Sequence, residues 1–254
     1  MGLGSAFLED LIELKRSRTI DGLTKVVEIG AQQLANSFFR AENSLEELYR
    51  LFKRPRPELG KPQDVGHVYG MEHQPDDAPP SRQFWESLGF TYHSVEFDGH
   101  RDSIPIDLNR DSVPRELAGT FHLVVNTGTT EHVANQDNAF KVVHDLVCRG
   151  GIMIHELPAG GMFNHGLINY NPKFFWHLCR ENEYEVLSLG FSSSGSNPVP
   201  QNIIDSNLEF GGSRCRLDVT TIQDFAITAI LRKRDNRPFV TPLDLPPEIM
   251  PRRS

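Results

Sequence analysis

The apolar residues of this chain gather into seven short runs, and the stretches between most of them carry apolar residues at helical spacing. That alternation is the strongest constraint on what the chain can fold into. Runs such as Val26-Val27-Glu28-Ile29 and Phe121-His122-Leu123-Val124-Val125 are of strand length and rich in β-branched residues, the pattern of strands buried on both faces. Strands are expected at residues 25–30, 90–97, 104–108, 121–126, 152–155, 184–189 and 225–231. Helices are expected at 5–17, 33–39, 44–52, 81–88 and 138–148, and another starting at Pro172. Ser44 and Glu47 have the spacing of a capping box, and Asn171-Pro172 that of an N-cap followed by proline at the first helical position. Pro105 marks 104–108 as an edge strand, and Gly150-Gly151 is expected to stop the preceding helix.

Short apolar strands alternating with amphipathic helices imply an α/β fold, doubly wound, with a mostly parallel sheet covered on both faces. With 254 residues, 38% of them hydrophobic, the chain is long enough for one full-sized core. It reads as a single domain over 1–254, with an N-terminal helix at 5–18 and a Pro/Gly-rich insertion at about 40–80. Within 53–80 stand Pro55, Pro57, Pro62, Pro75, Pro79 and Pro80. Prolines lack the donor that a helix interior or central strand needs, so this stretch reads as a long loop that forms a lid over the site.

The net charge of -8 excludes a global basic field that would hold nucleic acid or an anionic membrane. No stretch approaches the ~20 apolar residues of a membrane helix, and no charged n-region leads into an apolar run, so no signal peptide is expected. Cys148, Cys179 and Cys215 are odd in number and form no CxxC pair. Reduced thiols in a cytoplasmic protein are the expectation.

In a sheet of this kind ligands bind beyond the carboxyl ends of the strands, at the point where strand order reverses. The residues after each strand therefore carry the functional reading. After the first stand Gly30, Ala31, Gln32 and Gln33, where a glycine lets backbone approach a ligand and the next helix N-terminus offers free N–H groups. After the second stand Glu96 and Asp98; a carboxylate there can accept from both hydroxyls of a ribose. Asp107, Leu108 and Asn109 follow the third, and Asn126-Thr127-Gly128-Thr129-Thr130-Glu131-His132 the fourth. His155 and Glu156 follow the fifth, at a strand end facing the expected cleft. Each has a plainer alternative: Gly30 as a strand-to-helix turn, Glu96 as a solvent-facing strand end, Asp107 as a turn cap.

The ordered set Val-Val-Glu-Ile-Gly, Ser-Val-Glu, Ile-Asp-Leu, Leu-Val-Val-Asn-Thr-Gly-Thr-Thr-Glu-His-Val and Gly-Gly-Ile-Met-Ile resembles the class I S-adenosylmethionine-dependent methyltransferases over roughly residues 20 to 232. The resemblance implies a seven-stranded Rossmann-like methyltransferase fold with one antiparallel strand. It implies S-adenosyl-L-methionine as cofactor, with Gly30 near its methionine part and Glu28 at the end of the preceding strand. Glu96 would hold the ribose, Asp107 and Leu108 would contact adenine, and Asn126 would line the methionine side. The first turn departs from the family's Gly-x-Gly-x-Gly: only Gly30 matches. Either the amide of Gln32 replaces backbone donors, or cofactor binding has weakened or been lost.

Methyl transfer from a sulfonium needs chiefly proximity and alignment, so no obligatory catalytic residue shows in the sequence. His132, His155 and His165 are the candidates for a general base, since histidine titrates near neutral pH. Glu131 and His132 are adjacent, so on a helix their side chains diverge by about 100°. No metal site is expected, and no Cys/His spacing matches a structural zinc site. The polar, aromatic-containing loop at 160–172 reads as substrate-facing, with Asn164, Asn169 and Tyr170 as binding candidates. The expected activity is methyl transfer to a small-molecule or sugar-like acceptor, without nucleic-acid or membrane partners. The alternative is a non-catalytic binding or assembly module of the same fold; a nicotinamide oxidoreductase is disfavoured by the absence of Gly-x-Gly-x-x-Gly.

Overall fold

Side chains alternate across a strand with a period of two. In strand β1 (Lys25–Ile29) this period divides an almost wholly apolar segment between two cores. Val26 joins the apolar cluster on one face, with Phe7, Leu8, Leu48 and Trp85. Val27 and Ile29 join the cluster on the other, with Phe140, Val143 and Phe175. The computed structural model that shows this describes residues 2–60, 79–162, 165–195 and 223–244.

Seven strands form one sheet. After β1 come β2 (Thr91–Glu96), β3 (Ile104–Pro105), β4 (Phe121–Thr127), β5 (Val147–Gly160), β6 (Glu185–Gly195) and β7 (Asp224–Arg232). Their spatial order is β3-β2-β1-β4-β5-β7-β6. β1, β2, β3, β4 and β5 pair in parallel, and β7 runs antiparallel to both β5 and β6. This is the doubly wound, Rossmann-like sheet with one antiparallel strand that the resemblance implies. Strand order reverses between β1 and β4, which places the switch point beyond their carboxyl ends.

Helices α1 (Ser5–Arg16), α2 (Asn36–Arg40), α3 (Glu42–Phe52) and α4 (Ser81–Ser87) supply the cluster that contains Val26. Helices α5 (Gln136–Leu146) and α6 (Pro172–Asn182) cover the other face. Asn171 caps α6 as expected, its side chain accepting from the backbone N–H of Lys173 at 2.9 Å. Pro105 lies in the edge strand. Among the described residues no helix is long and apolar enough to cross a membrane.

Four expectations are corrected. Gln33 and Leu34 are not helical but pair as single bridges with Pro80 and Leu3, so the helix after β1 begins only at Asn36. The capping box does not form: α3 starts at Glu42, and Glu47 instead accepts two hydrogen bonds from the Arg16 guanidinium of α1, at 3.1 and 2.6 Å. The Gly150-Gly151 pair does not stop a helix. β5 has already begun at Val147, which is fully buried and pairs with Phe121, and the glycines lie where the register jumps to Leu123↔Ile152. The strand expected at 184–189 runs on to Gly195; residues 61–78 of the Pro/Gly-rich insertion and Cys215 lie outside the described residues.

The same period of two aims Glu28 toward α4, where its carboxylate is wholly buried. It accepts from Ser81 Oγ at 2.6 Å, Trp85 Nε1 at 2.7 Å, Tyr92 Oη at 2.8 Å and the Gln32 N–H at 2.9 Å. Burial raises its pKa, and the four donors oppose that rise. Glu28→Ala leaves four donors without their acceptor. We expect a loss of about 3 kcal/mol or more of unfolding free energy, read from urea denaturation, and about half that for Glu28→Gln, which keeps one acceptor oxygen.

Candidate functional site

Beyond the carboxyl ends of β1, β2 and β4 lies a cleft of about 570 Å³. Its floor is the turn that follows β1. Gly30 adopts φ +80, and a Cβ there would stand 2.3 Å from Thr129 Oγ1, so both conformation and space require glycine. Thr129 Oγ1 donates to the Ile29 carbonyl at 2.6 Å and accepts from Gln32 Nε2 at 3.1 Å. The Gln32 amide thus folds back over the turn and fills the room that a second glycine would leave. Its Oε1 is buried and has no hydrogen-bond partner among the described residues.

The free N–H groups expected at this turn are largely engaged. The Gln32 N–H donates to Glu28, and the Ala31 N–H donates to Glu96 Oε1 at 2.7 Å. Glu96, half-buried at the end of β2, is bonded to the β1 turn at the edge of the cleft, and its other oxygen has no hydrogen-bond partner among the described residues. Ile106, Leu108 and Val133 form an apolar wall, all three buried. Asp107 shapes the next rim as an Asx turn: Oδ1 accepts from the Asn109 N–H at 2.9 Å, and Oδ2 pairs with Arg110 at 2.8 Å. The Asn109 N–H, first among its partners, holds the Asp107 carboxyl below the usual range. Sequence reasoning did not single out His100, Arg101 and Phe97, which also border the cleft; they follow β2 in a turn without apolar periodicity.

Of the residues expected at the cofactor, Gly30, Gln32, Glu96, Asp107 and Leu108 border the cleft. Glu28 and Asn126 do not. Glu28 points into the α4 core, and Asn126 is buried beneath the cleft, donating to Thr130 Oγ1 at 2.9 Å and lying 3.1 Å from His155 Nδ1.

The three candidate bases are separated by the fold. His155 is 1% exposed, stacks on Phe140 and has its pKa pushed down to about 3 by burial. It is a neutral core side chain. His132 borders the cleft, and burial lowers its pKa. His165 arrives from the loop after β5, its Nε2 3.1 Å from Glu131 Oε1. Glu131 itself is 0% exposed. Among the substrate candidates, Tyr170 is buried and bonded to Thr130 and Gln136. Asn169 is exposed and donates to the Gly161 carbonyl at 3.0 Å, and Asn164 lies outside the described residues. Glu156 turns away from the cleft toward α1; burial pushes it up to about 7, with the Asp10 carboxylate adding repulsion.

No protein-family model matches this sequence, and no curated protein matches it. Among solved structures the chain is similar to a proposed methyltransferase from Bacillus halodurans C-125, with 12% identity over 89% of this chain and 100% of that one and a TM-score of 0.46. It is similar to loganic acid methyltransferase solved with SAH, with 9% identity over 91% and 93% of the two chains and a TM-score of 0.45. It is also similar to 1,6-didemethyltoxoflavin-N1-methyltransferase of Burkholderia thailandensis, with 9% identity over 90% and 78% and a TM-score of 0.45.

Two outcomes follow from this geometry. Gly30→Ala forces a left-handed alanine against Thr129 and is expected to cost about 1–3 kcal/mol of stability, measured by urea denaturation. Glu156 has a folded pKa near 7, above its ordinary 4.5. The folded state therefore binds more protons than the unfolded state between these values, and stability falls as pH rises through that window. Thermal melts across the window should show the decline, and Glu156→Gln should reduce it, with Asp10, raised to about 6 chiefly by burial, supplying the remainder.

Proposed function

We propose that this chain binds S-adenosylmethionine in the cleft at the β1/β4 switch point and transfers its methyl group to a small-molecule acceptor. The observation that carries the reading is the Glu96 carboxylate, set at the end of β2 opposite the Gly30 turn with one oxygen still available. That group suits a ribose diol, which presents two donors. The rest of the cleft fits the other parts of the cofactor. Ile106, Leu108 and Val133 offer an apolar wall for the adenine plane. Asp107 already accepts one hydrogen bond on each oxygen, and a carboxylate oxygen has capacity for a second, here from an exocyclic amine. The buried, unpartnered Oε1 of Gln32 suits the ammonium group of the methionine part.

When bound, the cofactor supplies a methyl group on a positively charged sulfur. The chain's own task is then alignment and exclusion of water. An acceptor that must lose a proton meets His132 and His165 at the cleft mouth, beside Glu131. The buried His155 takes no part. The net charge of -8 favours a small acceptor over a polyanion.

One observation favours a second reading, a binding module without catalysis: the Ala31 and Gln32 N–H groups are held by the protein's own carboxylates. Calorimetric titration with S-adenosylmethionine, S-adenosylhomocysteine and NAD separates the two. The first two should bind in the micromolar range and NAD should not. Glu96→Ala should weaken binding by about 10- to 100-fold, the worth of hydrogen bonds to a charged group. Absence of binding by either sulfur compound at millimolar concentration supports the module instead.

A further inference from the structure

Beside the cleft, which His132 borders, Glu131, His132 and His165 bring one carboxylate oxygen and two ring nitrogens within 4.8 Å of one another. Glu131 Oε1 is 3.1 Å from His165 Nε2 and 3.8 Å from His132 Nε2, and the two imidazole rings lie 5.1 Å apart. Around a tetrahedral ion with metal–nitrogen bonds near 2.05 Å, neighbouring donor atoms are about 3.3 Å apart. Two of the three separations already lie close to that value.

The adjacency of Glu131 and His132 does not separate their side chains here. Residues Thr130–His132 form a single 3-10 turn, not an α-helix, and the loop after β5 closes on that turn from outside. The Leu167 and Ile168 N–H groups both donate to the Glu131 carbonyl, at 2.8 and 3.1 Å. Gly166 packs so closely that a Cβ there would stand 2.7 Å from Glu131 Cγ. His165 is thereby held against the carboxylate by its own backbone neighbours.

A second observation points to a ligand. Glu131 is 0% exposed, and its other oxygen, Oε2, is buried with no hydrogen-bond partner among the described residues. A buried carboxylate without full satisfaction is costly. Here it sits beside two nitrogen donors that are themselves 48% and 28% exposed. The buried carboxyl group and the reachable imidazoles together suit a cation entering from the cleft side.

We infer that Glu131, His132 and His165 form a binding site for a divalent transition-metal ion. Two imidazoles and one carboxylate favour a borderline ion such as Zn(II), Co(II) or Ni(II) over Mg(II) or Ca(II), which take mostly oxygen ligands. Three protein ligands leave an open coordination position, the arrangement of reactive rather than structural sites. Because His132 also borders the cleft, that position is open to an acceptor bearing an oxygen or nitrogen donor. The metal site is independent of cofactor binding, and each can be present without the other.

The test uses the full chain, stripped with chelator and dialysed at neutral pH against Co(II) or Zn(II). One ion per chain is expected, with the visible absorption of a low-coordinate Co(II) centre carrying nitrogen ligands. His132→Ala, at a half-exposed side chain, should leave the thermal melt of the metal-free protein unchanged. It should weaken binding by more than about 100-fold, beyond what loss of an outer partner costs a metal site. Glu131→Gln should weaken binding likewise, while His177→Ala, in α6 against Asp244, should bind as the parent chain does. Substoichiometric Co(II), or undiminished binding in His132→Ala and Glu131→Gln, would overturn the proposal. Calorimetry with S-adenosylmethionine on the same samples reads the cofactor question separately.

Discussion

The buried carboxylate of Glu28 is the interaction on which the rest of this structure depends. An ionisable group in the centre of a sheet is tolerated only when its oxygens are satisfied. Here the donors come from three elements: Ser81 and Trp85 of α4, Tyr92 of β2, and the backbone of the turn after β1. One side chain therefore joins the strand, the helix that follows the insertion and the floor of the cleft. It also explains why Glu28 does not line the cleft, since β1 must place Val27 and Ile29 in the opposite core and the period of two then leaves Glu28 facing α4.

The floor of the cleft inherits this arrangement. With its N–H held by Glu28, Gln32 is fixed in place, and its amide reaches Thr129 and the carbonyls of Ile29 and Gly30. A glycine-rich turn would offer bare backbone to a ligand. This one offers side-chain groups instead: the unpartnered Gln32 oxygen and the remaining oxygen of Glu96. The polar groups that this turn leaves toward the cleft are therefore acceptors, where a glycine-rich turn leaves backbone donors.

The mouth of the cleft is built by a different device. The loop after β5 folds back and donates two backbone hydrogen bonds to the Glu131 carbonyl. That closure brings His165 to a carboxylate 34 positions earlier in the chain. The same closure leaves Glu131 wholly buried, with one carboxylate oxygen that has no hydrogen-bond partner among the described residues.

Much of this was legible in the residues themselves. The seven strands, the six principal helices and the edge position of Pro105 follow from apolar periodicity and from proline's missing donor, both local properties. Gly30, Gln32, Glu96, Asp107 and Leu108 were legible as cleft residues because a parallel sheet presents whatever follows its strands at one end. The capping box at Ser44 was misread because Glu47 has a stronger partner in Arg16, on another helix. Glu28 and His155 lie away from the cleft because facing direction is set by packing on both sides of a strand, not by position along it. What the sequence determined by itself is therefore the layered α/β architecture and the end of the sheet at which the cleft opens. Only the tertiary structure decided that the first turn spends its N–H groups on Glu28 and Glu96, and that Glu131, His132 and His165 converge. The Ala31–Glu96 and His165–Glu131 contacts join residues 65 and 34 positions apart, which no local pattern encodes.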